Sequence, residues 1–81
     1  MDVIRTQIRQ FILDEFLPGE TEGNLQDHMS LRESGILDSL GLLQVITFVE
    51  SRFNIEVGPL DAGDTNFGTI DRVVHFVAAR L

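Results

Sequence analysis

The sequence predicts an all-α fold. Three segments of the 81-residue chain repeat apolar residues at helical spacing, and each opens on a capping residue, Asp or Thr. No segment alternates apolar and polar residues over a useful length, so no sheet is expected. The expected architecture is a four-helix bundle of three main helices and one short one. Its packing is antiparallel, with a long loop between the first and second helices.

The first helix starts at Asp2, whose carboxylate can cap free backbone N–H groups. Ile4, Ile8, Phe11, Ile12 and Phe16 form its apolar face, and Arg5, Gln7, Arg9 and Gln10 supply polar flanks. Pro18 and Gly19 end it, because the residue before proline is pushed out of helical geometry. From Pro18 to Asp38 there is no period. Glycines and acids alternate with isolated apolar residues (Leu25, Met29, Leu31, Ile36 and Leu37) that can pin the segment to a core. A structureless loop of this length is uncommon in a compact domain and is usually functional, so a helical turn or two is expected inside it.

The second helix opens at Asp38 and carries a stripe of Leu42, Val45, Ile46, Val49 and Phe53. Leu40, Leu43 and Phe48 widen the stripe beyond one core face, which marks part of this helix as exposed and apolar. Gly41 is unusual in a first turn, where glycine costs about 1 kcal/mol relative to alanine. Asn54 is the expected stop. Gly58-Pro59 marks a turn, and Leu60 to Asn66 has room for one short helix. Thr69 caps the last helix, with Ile70, Val73, Val74, Val77 and Leu81 on its core face. Asp71 in its first turn and Arg80 in its last both complement the helix dipole.

Composition narrows the function. The length fits one domain, residues 1–81, and a chain so small buries only about 60% of the surface it exposes when unfolded. There is no cysteine, which excludes disulfides and thiolate metal sites. Thirteen acids face six bases, all arginine, for a net charge of −7. Such a surface repels phosphate backbones and suits basic protein partners, so no nucleic-acid partner is expected. Asp2, Arg5 and Arg9 interrupt any apolar leader, and the apolar stretch from Leu40 to Val49 is too short for a bilayer span. A cytoplasmic monomer is the expectation.

Catalytic constellations are missing. There is no G-x-S-x-G elbow, Walker loop, H-E-x-x-H pair or cysteine nucleophile, so the chain is not expected to be an enzyme. His28 stands among acids in the loop and His75 beside the last apolar stripe; both read as surface residues. Asp61, Asp64, Asn66 and Asp71 lack the register of a calcium loop, and no metal site is expected.

The informative segment is Glu33-Ser34-Gly35-Ile36-Leu37-Asp38-Ser39-Leu40-Gly41. A serine sits where a long loop becomes an amphipathic helix. Asp-Ser is also an ordinary helix opening, with Asp38 or Ser39 as the cap. The length of the loop, the excess apolar surface after the serine and the absence of any catalytic group instead describe a platform that displays one hydroxyl to other proteins.

At these residues the chain resembles the acyl and peptidyl carrier proteins. Asp38-Ser39-Leu40 is similar to their D-S-L motif, and Ser34-Gly35-Ile36-Leu37 to the approach to it. Gln44 to Val57 resembles the rest of their second helix and its exit, and Asn66-Phe67-Gly68-Thr69-Ile70 the start of their last helix. The likeness is close from Ser34 to Val57, fair from Asp64 to Val77, and a matter of pattern only in the first helix. It implies that a phosphopantetheinyl transferase attaches 4′-phosphopantetheine from coenzyme A to Ser39, with Asp38 acting as helix cap or as a contact for the transferase and its metal. The terminal thiol of the arm then carries an acyl or aminoacyl thioester between enzymes of a biosynthetic pathway.

The resemblance also implies partners: an adenylate-forming ligase or an acyltransferase that loads the arm, and condensing or transfer enzymes that unload it. They are expected to read Leu40, Leu43, Gln44, Thr47 and Glu50 on the second helix. Carriers of fatty acid synthesis present more acid there than Gln44, Thr47 and Ser51 supply. Gly41, closely following the motif, resembles stand-alone aminoacyl carriers of the D-alanyl type. An aminoacyl or peptidyl carrier is therefore the alternative to a fatty-acid or polyketide carrier. A non-covalent acidic module with unmodified Ser39 is the alternative from another class. Phe48, Phe53 and Phe67 are expected to make the core bulky and closed, which favours short cargo.

Overall fold

A computed structural model describes residues 2–17 and 25–81. Its elements are α1 (Asp2–Phe16), α2 (Ser39–Phe53), a 3₁₀ turn (Pro59–Asp61), α3 (Asp64–Phe67) and α4 (Ile70–Arg80). There is no strand among the described residues, and the all-α expectation is met. The short helix expected between Leu60 and Asn66 is divided in two, the 3₁₀ turn after Gly58 and the single turn of α3. No helix among the described residues is long and apolar enough to cross a membrane.

The buried side chains form one cluster drawn from every main helix and from the loop. Ile8 and Ile12 come from α1, Val45 and Val49 from α2, and Ile70, Val73, Val74 and Val77 from α4, all fully buried. Two expectations are corrected here. Leu81 follows the last turn of α4 and is 69% exposed, because the chain no longer continues the helical face at that point. Asp2 is the first residue of α1 rather than the residue before it, so its carboxylate acts on the first turn through the dipole. Leu13 and Phe76, absent from the predicted faces, are buried. Each is one position from a predicted core residue, so the buried stripe is wider than the strict spacing implies. The stop assigned to Pro18 and Gly19 lies outside the described residues; α1 ends at Phe16, and Leu17 still donates its N–H to the Leu13 carbonyl at 3.1 Å.

α1 and α2 run antiparallel. Arg52, near the end of α2, donates to Gln7 near the start of α1. Phe11 and Phe48 stack midway, with ring centroids 4.2 Å apart. Phe16, at the end of α1, lies against Gly41 at the start of α2.

The described part of the loop doubles back along α1. Arg9 donates to the Leu25 carbonyl at 2.8 Å, and both Arg5 and Arg9 donate to the Asp27 carboxylate. Arg5 also reaches Asp71 in the first turn of α4, at 2.5 Å, and the Asp71 N–H donates to the Asp27 carbonyl at 3.0 Å. Asp27 thus joins the loop to α1 through its side chain and to α4 through its backbone. The Asp71 hydrogen bond, with help from Asp27, holds the Arg5 pKa above its ordinary value against the opposing effect of desolvation.

Farther along, Leu31 donates to the Gly68 carbonyl and Leu37 donates to the Leu31 carbonyl, both at 2.9 Å. Between them a single helical turn closes with Ser34 N–H on the Ser30 carbonyl at 3.1 Å, the turn expected within the loop. Leu25, Leu31 and Leu37 are buried, as their isolated positions implied.

Asp27 and the two arginines of α1 have side chains only 16–28% exposed, so their hydrogen bonds are poorly replaced by water. Asp27→Ala leaves two guanidinium groups short of an acceptor and is expected to cost about 1–3 kcal/mol, read as a lower urea midpoint. Asp64→Ala removes a looser, exposed ion pair with Arg32 at 3.7 Å. It is expected to cost less than about 1 kcal/mol in the same assay.

Candidate functional site

The site is the N-terminus of α2. Asp38 is the cap: its backbone is extended (φ −101°, ψ −169°) and its Oδ1 accepts the Gly41 N–H at 2.7 Å. Its carbonyl accepts the Leu42 N–H at 2.9 Å. Of the two residues that the sequence leaves open for this role, Asp38 caps and Ser39 is the first helical residue. The N–H groups of Ser39 and Leu40 have no intrahelical acceptor by helix geometry, so the turn favours an anion. Ser39 is exposed, and its hydroxyl has no hydrogen-bond partner among the described residues.

Gly41 explains itself here. It is buried, and a Cβ on it would stand 3.2 Å from Leu37 Cδ2, 3.2 Å from Phe16 Cε1 and 3.3 Å from Asp38 Oδ1. The weak helix former is the position where α1, the end of the loop and the cap all close on α2. At the other end, Asn54 stops α2 in the left-handed conformation (φ 55°, ψ 50°) that asparagine tolerates.

The structure exposes Leu40, Leu43, Gln44 and Thr47 on α2, with Leu40 and Leu43 at 64% and 57%. The Thr47 hydroxyl donates to the Leu43 carbonyl at 3.0 Å. Glu50 differs from these four. It is half-buried, and its Oε2 accepts the Val57 N–H at 3.0 Å, which turns its carboxylate toward the exit from the helix. From Ser39 to Thr47 the helix carries no charged residue.

Two depressions open along the seam of α1 and α2. One, of about 330 Å³, lies beside Ser39 and is lined by Asp38, Leu40, Gly41, Ile36 and Phe16. The other, of about 710 Å³, is lined by Leu43, Thr47, Phe48, Phe11 and Arg52. Glu15 and Gln44 line both. The lining residues of α1 were not singled out from sequence: Phe11 reads there as core, and Glu15 belongs to no motif. On the opposite side of α2, toward α3, the described residues Leu31, Leu37, Leu42 and Phe67 border a void of about 10 Å³. That is the room of one water at most. Of the three phenylalanines expected to fill the core, Phe67 borders this void. Phe48 and Phe53 pack edge to face near Phe11, at the α1 side.

His28 and His75 are exposed. Asp61 pairs with Arg80 at 3.2 Å, Asp64 with Arg32, and Asp71 with Arg5. No group of three metal-ligating side chains exists among the described residues.

A helical bundle that presents an exposed serine at a capped helix start fits the carrier-protein resemblance read from the sequence. Comparison with known proteins agrees. The chain is 34% identical over 77 residues to the D-alanyl carrier protein of Streptococcus suis (strain 05ZYH33), covering 95% of this chain and 92% of that one. It is 30% identical over 66 residues to the D-alanyl carrier protein of Streptococcus thermophilus, covering 82% and 81%. A shorter match, 38% over 47 residues, joins it to the D-alanyl carrier protein of Streptococcus pyogenes serotype M1, covering 58% and 60%. No family profile matches the chain. The chain belongs to the acyl carrier protein family, and its relatives are D-alanyl carrier proteins.

The cap and the glycine touch, and each contributes to stability. Asp38→Ala is expected to cost about 1 kcal/mol, the worth of an N-cap. Gly41→Val forces Leu37, Phe16 and the cap apart and is expected to cost about 1–3 kcal/mol, typical of overpacking. Urea unfolding followed by circular dichroism checks both.

Proposed function

We propose that this chain, as a single domain over residues 1–81, is an aminoacyl carrier that holds its cargo as a thioester on a 4′-phosphopantetheine arm at Ser39. The observation that carries the reading is the exposed, unpartnered Ser39 hydroxyl beside the Asp38 cap. The names of the relatives favour an aminoacyl cargo over a fatty acyl one. The uncharged face from Ser39 to Thr47 fits the same choice, since it lacks the acids expected of a fatty-acid carrier.

In the loading step the Ser39 oxygen attacks the pantetheine-linked phosphate of coenzyme A. A new phosphoester bond forms, the pyrophosphate P–O bond breaks, adenosine 3′,5′-bisphosphate leaves, and the serine proton passes to the transferase. The phosphodiester comes to rest at the α2 N-terminus, where the free N–H groups of the first turn stabilise its charge. Among the described residues no base is placed to activate Ser39; the transferase and its metal supply activation. An adenylate-forming ligase then forms the thioester on the arm, and a transfer enzyme removes the cargo. Both dock at the apolar surface of Leu40 and Leu43, flanked by Gln44 and Thr47, in the cytoplasm. Glu50 contributes less than these, because its carboxylate is already engaged by Val57.

Incubation with coenzyme A, magnesium and a broad-specificity phosphopantetheinyl transferase is expected to raise the intact mass by one phosphopantetheine. Ser39→Ala is expected to show no gain. Asp38→Asn keeps a capping oxygen but loses the charge. Unchanged stability with slowed modification in this variant assigns the carboxylate to the transferase contact; an unchanged rate leaves it as a cap alone. Absence of any mass gain with several transferases overturns the carrier reading in favour of a non-covalent module.

A further inference from the structure

We infer that the seam between α1 and α2 is the resting site of the phosphopantetheine arm, an inference that rests on the reading of Ser39 above. Three observations point there. The first is the helix itself. Ser39, Leu43 and Thr47 stand four residues apart in one row, on one face of α2. A group leaving Ser39 toward the C-terminus of α2 passes over Leu43 and Thr47, two of the residues that line the larger depression.

The second is continuity. The smaller depression begins at Asp38 and Leu40, on either side of Ser39, and Glu15 and Gln44 line both it and the larger one. Together the two run beside α2 from its first turn to Ser51 and Arg52. Ser39 to Ser51 is a rise of about 18 Å along the axis, enough for an extended arm rather than its first atoms alone.

The third is the match of chemistry. The arm alternates methylene and dimethyl groups with two amides. The floor of the seam is apolar, made by Leu43 and the stacked pair Phe11 and Phe48. Its rim carries the Gln44 amide, which both donates and accepts, and the Glu15 carboxylate, which accepts from amide N–H groups. Neither has a hydrogen-bond partner among the described residues. On the other flank of α2 the described residues border a far smaller space. The void beside Phe67 is about 10 Å³, and the Arg32–Asp64 ion pair joins two of the residues around it. The arm therefore lies outside the core, along α1, and cargo at its tip stays near Phe48 and Arg52 where a partner enzyme can reach it.

The test uses isotope-labelled protein carrying the arm, its loading first verified by intact mass. Nuclear Overhauser contacts are expected from the dimethyl and methylene protons of the arm to Leu43 and the Phe48 ring. Amide shifts between the unmodified and modified protein are expected at Glu15, Gln44 and Thr47. Exposed substitutions that leave the core alone, Leu43→Ser with Gln44→Ala, are expected to abolish the contacts to Phe48 while the Val45 and Val73 methyl signals stay in place. Contacts to Leu31 or Phe67 instead, or an arm with no protein contacts and the sharp lines of a free chain, overturn the inference while the carrier reading stands. A mass that shows no arm overturns the reading of Ser39 and the inference with it.

Discussion

The structure depends most on the hydrogen bonds of Asp27. The chain has no disulfide, and its core is a small set of aliphatic and phenylalanine side chains. Residues 25–38, which lead into α2, hold their places without a regular helix, and ordering each costs roughly 1–2 kcal/mol in backbone entropy. Asp27 meets part of that cost at one point. Its carboxylate accepts from Arg5 and Arg9, and its carbonyl accepts the Asp71 N–H. Loop, first helix and last helix are held together where Leu25 and Leu31 can then bury beside them.

From that anchor the placement of the serine follows. With the loop tied at Asp27 and again at Gly68, the remaining stretch closes through the turn at Ser34 and the bond from Leu37 to Leu31. Leu37 buries next to Gly41, Asp38 turns outward as the cap, and Ser39 emerges at the first exposed position of α2. The hydroxyl is thus set by packing on the buried side of the turn and left without contacts on the exposed side. That combination suits a group that other proteins must reach, because accessibility is gained without loss of a fixed position.

The seam of α1 and α2 shows how one helix serves two purposes. Val45 and Val49 face the core and give α2 its stability, while Leu40 and Leu43 stay in solvent. Phe48 lies between these faces, half-buried and stacked on Phe11. The sequence signals this division only as an excess of apolar residues over the needs of a core.

Much of the fold and of the site was legible in the sequence by itself. The three main helices, the caps at Asp38 and Thr69, the stop at Asn54 and the apolar pins of the loop all rest on local rules: helical period, capping oxygens, left-handed asparagine. The position of Ser39 at the exposed start of α2 was legible for the same reason, since the residues that mark that helix start are adjacent in the chain. What only the tertiary structure decided is which distant groups meet. Arg5 and Arg9 read as polar flanks, yet they bind carboxylates 18 to 66 positions away. Gly41 reads as a defect in a helix, yet Phe16 fills the space that its missing side chain leaves. Glu15 belongs to no motif in the sequence, and only the packing of α1 on α2 places it at the border of both depressions. Periodicity reports the face a residue occupies on its own helix; it carries no information on which other helix that face will meet, and that is set by packing the whole chain around one small core.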